Sequence, residues 1–145
     1  MIELLNQSLA SVAEQIRCRS ISPIELTHTA LEQIESSEGM LNAYVCVNRD
    51  HAMRAARDAE EQIASGNYRG ELHGVPIAVK DLYDMAGMPT LCGSKVRHDH
   101  VASMDAASVA KLKHAGAVIV GKTQTHEFAF GVRTPTTANP WNVDC

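Results

Sequence analysis

The chain has 145 residues, of which 45% are hydrophobic and 21% charged, with a formal net charge of −4. That content describes one folded domain able to bury a core, and it excludes intrinsic disorder. The acidic balance and the scattered basic residues leave no electrostatic footprint for RNA or DNA, so nucleic acid is excluded as a direct partner. No stretch approaches the length of a membrane span, and MIELLNQSLASVAEQIR has no basic region ahead of its apolar residues, so the expectation is a cytoplasmic protein with no membrane partner. Cys18, Cys46, Cys92 and Cys145 lie far apart with no CxxC pair, which predicts reduced thiols, buried or idle.

In chain order, Ile2, Leu5, Leu9, Val12, Ala13 and Ile16 recur at helical spacing and predict an amphipathic helix over residues 2–17. Ser22, Pro23 and Glu25 make an S-x-x-E capping box with proline at the first helical position. A helix over about 23–36 follows, with Gly39 as its stop. LNAYVCV at 41–47 reads as a short strand, and the Ala- and charge-rich run that closes at Gly66 reads as a helix. Residues 75–79 predict a second strand, 105–115 a helix ended by Gly116, and AVIV at 117–120 a third, buried strand with a turn beginning at Gly121. Helices alternating with short apolar strands predict an α/β fold with a central sheet flanked by helices.

GAVIVGKT, Gly116 to Thr123, matches the phosphate-binding string G-x-x-x-x-G-K-[ST] letter for letter. The context is wrong for it. A working phosphate loop follows a strand and opens a helix, whereas here a helical segment precedes Gly116 and the four variable positions are strand formers. Gly116 as a helix terminator and AVIV as a core strand account for the same letters without a nucleotide.

HGVPIAVKD, His73 to Asp81, passes the corresponding test. Gly74 and Pro76 shape a turn into an apolar strand, and Lys80 stands at that strand's carboxyl end, where open α/β sheets bind ligands. Ile77, Ala78 and Val79 can desolvate such a lysine and favour the neutral amine that a base needs. The alternative is an ammonium reaching out to water.

Three blocks in order, RGELHGVPIAVKDLYDMAGMPTLCGS, DAASVAKLKHAGAVIVGKTQTHEFAFG and NPW at 139–141, resemble the first part of the amidase signature family. SISPIELTHTALEQIESSEGMLNAYV is similar to that family's helical lead-in, so the resemblance covers almost the whole chain. It implies a mixed central sheet of which only the N-terminal part is present. Residues 1–145 would be part of one amidase domain, with the lead-in to about residue 66 and the start of the catalytic sheet from about 67 to 145. It also implies that Lys80 is the base of a Ser-cisSer-Lys triad, that GKT contacts no nucleotide, and that Ser94 in GMPTLCGS lines the substrate cleft. A turn serine is the alternative for Ser94.

Two departures stand out. Gln124 follows GKT where the family often has Asn, and the family's Gly/Ser-rich run, source of the nucleophile and oxyanion donors, would come after NPWNVDC. None of this chain's serines sits in such a run, so it is expected to carry the base of the triad without the nucleophile. The chemistry implied for the complete protein is acyl transfer from a small-molecule amide without a cofactor or metal, by an amidase or by the glutaminase subunit of a tRNA-dependent amidotransferase. A truncated piece acting as an interaction module, self-associating or held by a partner subunit, is the remaining reading. His98 and His100 in a polar loop lack further metal ligands, and His73 and His126 lack a visible nucleophile partner, Ser94 and Ser103 being near them only in sequence.

Overall fold

The computed structural model describes residues 2–143. Cys145 lies outside the described residues. Helices α1 (Ile2–Leu5), α2 (Leu9–Arg17) and α3 (Pro23–Leu41) precede strand β1 (Tyr44–Val47), and α4 (Arg49–Ala64), β2 (Pro76–Lys80), α5 (Ala107–His114) and β3 (Val118–Thr123) follow. The α/β expectation holds.

Local chemistry accounts for the places where boundaries differ from the sequence pattern. The single helix expected over 2–17 is two, because Ser8 adopts an extended conformation and its hydroxyl accepts the Ser11 N–H at 3.2 Å, restarting the helix as an N-cap. Helix α3 does not stop at Gly39. It runs to Leu41 and ends where Asn42, left-handed at φ 47°, returns its N–H to the Glu38 carbonyl. The Glu38 carboxylate then accepts the N–H groups of Ala43 (3.1 Å) and Tyr44 (2.8 Å), so β1 starts at Tyr44 and not at Leu41. At the other end of α3, Ser22 Oγ accepts from Ile24 and Glu25 N–H at 3.1 and 3.2 Å and donates to Glu60, which makes it the cap that the S-x-x-E pattern requires.

The sheet has the order β1-β3-β2. β1 and β3 are antiparallel, whereas Val118 N–H donates to the Val75 carbonyl and Asp81 N–H to the Thr123 carbonyl, so β3 and β2 run the same way and the sheet is mixed. The two apolar runs read as strands therefore share one sheet. Gly121 begins no turn: β3 continues through Gly121, Lys122 and Thr123, and the GKT letters are strand. Gly121 faces Val47, and a Cβ there would strike the Cys46 carbonyl oxygen, so the close approach of β1 to β3 requires a glycine.

The chain divides into two compact units. The first comprises residues up to Ile34, Asn48–Ile77 and Lys111–Val120. Its core is Val12, Ile16, Ile21, Leu26, Ile63 and Val75, with Leu4, Leu5, Tyr68 and Ile77 packed around them. Gly74 is left-handed at φ 81°, and a Cβ on it would stand 2.7 Å from Pro23 Cγ, so backbone and packing both demand glycine. The second unit comprises Glu35–Val47, Ala78–Ala110 and the residues from Gly121 onward. Its interior mixes Val79, Met85, Met88, Cys92 and Ala102 with buried Asp81, Thr90, Ser94, Lys122 and Thr125.

Gly121→Ala is expected to destabilise the protein by about 1–3 kcal/mol through overpacking between strands. Gly39→Ala, where a Cβ meets nothing within 4 Å, is expected to stabilise it by about 0.5–1 kcal/mol. Chemical denaturation of the two variants beside the parent reads both signs.

Candidate active site

At the carboxyl end of β2 the side chains alternate between interior and solvent. Val79 is buried, Lys80 exposed and Asp81 fully buried. The strand stops there because Leu82 and Tyr83 both turn their N–H groups back onto the Lys80 carbonyl, at 2.7 and 3.1 Å. Lys80 thus sits at the position the sequence assigns to it, with its side chain in solvent. The desolvated lysine of this unit is a different one.

That lysine is Lys122, in the middle of the GKT letters and 0% exposed. Its ammonium has three protons and meets three acceptors: Asp81 Oδ1 at 2.7 Å, Thr90 Oγ1 at 2.6 Å and the Pro89 carbonyl at 2.6 Å. A charge so buried persists only when it is paired and fully hydrogen-bonded. Asp81 completes its own set with Oδ2, which accepts the N–H groups of Leu91 (2.9 Å) and Cys92 (3.1 Å). The carboxylate therefore fastens β3 to the 89–92 segment, one residue from Lys80. Lys122 cannot reach out to a phosphate, which disposes of the nucleotide reading on geometry as well as on sequence context.

The segment held by Asp81 leads into Ser94. Cys92 and Gly93 are both left-handed, at φ 55° and 65°, and Gly93 passes so close to the Thr125 carbonyl that a side chain would not fit. Ser94 is buried, its hydroxyl donating to Glu127 Oε1 at 2.6 Å and accepting from Val96 N–H at 3.3 Å. A cavity of about 470 Å³ opens here, lined among others by Val45, Asp81, Gly93, Ser94, Gln124 and Thr125. Val45 is there because of a β-bulge: Tyr44 pairs with Thr123 and Cys46 with Lys122, leaving Val45 as the extra residue of β1. Gln124 donates its side-chain amide to the Tyr44 carbonyl at 3.4 Å and its backbone N–H to that of Ala43.

Of the other residues singled out in the sequence, His98 is an exposed neighbour of this cavity and pairs with Asp99 at 2.6 Å, and His100 lies 3.6 Å from Asp84. The described residues contain no group of three or more His, Cys, Asp or Glu arranged for a metal ion. His126 turns its ring toward the Glu127 carbonyl. His73 belongs to the first unit, 1% exposed, stacked on Tyr68, with burial foremost and the Arg69 charge second in lowering its pKa. Cys18 is exposed, Cys46 half-buried and Cys92 buried, all as free thiols. Burial raises the pKa of Cys46 against the opposing pull of Lys122. Among the described residues no helix is long and apolar enough to cross a membrane.

The Asp81–Lys122 pair went unread in the sequence. One signal was available: a lysine that continues the apolar run AVIV with only a glycine between them belongs to a core strand, and a core lysine requires a buried acid. Asp81, one step beyond the other apolar strand, was the acid in reach.

Lys122→Met is expected to destabilise the protein by about 3–5 kcal/mol, since it leaves the Asp81 carboxylate buried without its counter-charge. Pairing it with Asp81→Asn should recover part of the loss. A double-mutant cycle in urea measures the coupling, and additive effects would show that the pair contributes nothing of its own.

Comparison with known proteins gives the chain a family. The family model described as Amidase matches residues 25–145. An amidase of Pseudomonas putida is 48% identical over 140 residues, covering 97% of this chain and 30% of the relative. A glutamyl-tRNA(Gln) amidotransferase subunit from Carboxydothermus hydrogenoformans is 39% identical, covering 99% of this chain and 30% of the relative. Among solved structures, a protein of a vestigial complex bearing on the origins of an s-triazine catabolic enzyme superposes with a TM-score of 0.88 at 34% identity, over 94% of this chain and 31% of its own. The native peptide amidase of Stenotrophomonas maltophilia does so with a TM-score of 0.84 at 28% identity, again over 94% of this chain and 30% of its own. The chain spans about a third of the length of these proteins, and within that span it belongs to the amidase family.

Proposed function

We propose that the complete protein hydrolyses an amide by acyl transfer through a serine, with Lys80 as the general base. The observation that carries this reading is the placement of Lys80 at the carboxyl end of β2, beside an Asp81 carboxylate that is clamped by Lys122 and anchors the 91–92 backbone leading to the Ser94 cavity. A base must be held to a fraction of an ångström, and a lysine flanked by that buried ion pair has a fixed backbone to work from.

The reaction proceeds in two halves. Neutral Lys80 takes a proton, relayed through a bridging serine, from the attacking serine, whose oxygen bonds to the amide carbon. The proton passes to the leaving nitrogen as the C–N bond breaks, and water then releases the acyl group from the serine. Ser94, in the cavity wall with its hydroxyl fixed by Glu127, is proposed as a substrate-binding position, and the reaction needs no cofactor or metal. The two serines are proposed to come from outside these 145 residues, none of whose own serines lies in a Gly/Ser-rich run. The similarity to glutamyl-tRNA(Gln) amidotransferase subunits supports a second reading, a glutaminase that passes ammonia to a partner protein. Glutamine dependence separates the two.

Phe130, Val132 and Trp141 are 89%, 102% and 94% exposed, which supports a surface that further protein covers. Residues 1–145 by themselves are expected to self-associate, and sedimentation at rising concentration checks this. A sharp monomer boundary throughout would refute it.

In the complete protein, Lys80→Arg keeps a cation but cannot deprotonate, so it should lose about 10²–10⁴-fold in acylation rate, close to the loss in Lys80→Ala. Near-parental kcat in Lys80→Arg would make Lys80 a structural cation and end the triad assignment. Residues 1–145 alone should hydrolyse neither glutamine nor an aryl amide above background.

A further inference from the structure

The first compact unit holds a second cavity, of about 160 Å³, to which neither the proposed reaction nor the family resemblance gives a role. One wall is a face of α4 that presents Ala55, Asp58 and Gln62. The other is built by Arg69, His73, the end of α5 and the start of β3, with Ile119 among its apolar members. Two polar atoms in these walls are buried without a partner among the described residues: Gln62 Oε1 and His73 Nε2. Such atoms are rare in native proteins and each implies something that completes them.

Their hydrogen-bonding senses are opposite. The Arg69 N–H donates to His73 Nδ1 at 3.1 Å, so Nδ1 offers its lone pair and the neutral ring carries its proton on Nε2. Burial and the Arg69 charge both hold this imidazole neutral. His73 is thus a donor in want of an acceptor, and it shares the cavity lining with Arg69, whose guanidinium also donates to the His114 carbonyl at 3.3 Å. Gln62 Oε1 is an acceptor in want of a donor, and it stands one helical turn from the Asp58 carboxylate on α4. The lining therefore carries both senses: anion-seeking groups at Arg69, Lys113 and His73, and cation- or donor-seeking groups at Asp58 and Gln62, with His51 beside them. A simple anion would meet Asp58 and a simple amine would meet Arg69. One ordered water is far smaller than this volume.

We propose that this cavity binds a small free amino acid, with its carboxylate on His73 Nε2–H and Arg69, its ammonium on Gln62 Oε1 and Asp58, and a short apolar side chain against Ala55 and Ile119. The site is independent of Lys80 and of the amide chemistry proposed for the complete protein.

Titration of the full chain with L-alanine, followed by ¹⁵N chemical shifts of the His73 ring and by calorimetry, tests the assignment. Alanine should move the Nε2 resonance and bind saturably, while propionate and propylamine, each carrying half of its charge pattern, should bind about tenfold more weakly or worse. Gln62→Leu and Arg69→Met alter side chains at the partly exposed rim, so both should fold, and each should weaken alanine binding about tenfold. An unmoved His73 ring at the highest soluble alanine concentration would overturn the proposal, as would propionate or inorganic phosphate binding as tightly as alanine. Alanine affinity unchanged in both variants would do the same.

Discussion

The 89–92 backbone beside the candidate active site depends on one buried ion pair. An ammonium and a carboxylate removed from water are tolerable only when each lone pair and each proton is matched, and Lys122 and Asp81 reach that state by recruiting Thr90, the Pro89 carbonyl and the N–H groups of Leu91 and Cys92. The recruited groups belong to the segment that follows β2, and the lysine that gathers them belongs to β3. The cost of burying two charges is thus converted into position: the 89–92 backbone has nowhere else to go, and the left-handed turn at Cys92 and Gly93 then fixes where Ser94 emerges. Burial of a pair seldom adds stability over an apolar replacement, so its use lies in the geometry it enforces.

The same logic separates the two lysines. Both end apolar strand segments, and a scan of the sequence for basic residues after apolar runs treats them alike. Lys122 points inward and is committed to structure. Lys80 points outward with no such commitment, which is the condition for a group that is to act on something else. Lys80 is the lysine proposed for that part, and the physics of burial explains why the other lysine is not available for chemistry.

Much of the architecture was legible because it rests on short-range rules. The capping serine at Ser22, the helix terminator at Gly116, now seen left-handed at φ 83°, and the strand character of 118–120 follow from residue type and spacing alone. What escaped was set by partners distant in sequence or by competition between local choices. Gly121 reads as a turn until β1 is seen beside it, where the absence of a side chain is what lets the strands meet. Gly39 reads as a stop until Asn42 and Glu38 take over the end of α3. Lys80 was legible as a block of letters, and its exposure matches the reading of an ammonium reaching out to water, yet the Asp81–Lys122 clamp was not legible, because sequence neighbours say little about which strand stands opposite.

The alternation Val79 in, Lys80 out, Asp81 in has a consequence for how this segment can change over generations. Side chains along a strand swap faces with every residue, so a single insertion or deletion between Gly74 and Val79 would turn Lys80 toward the interior and Asp81 toward water. One such event would strand Lys122 without its counter-charge and remove the outward lysine together. Apolar exchanges of similar volume at Val75, Ile77 and Val79 can be absorbed one at a time. Length changes cannot, and the spacing between Gly74 and Asp81 is therefore expected to stay fixed in lineages where the letters themselves drift.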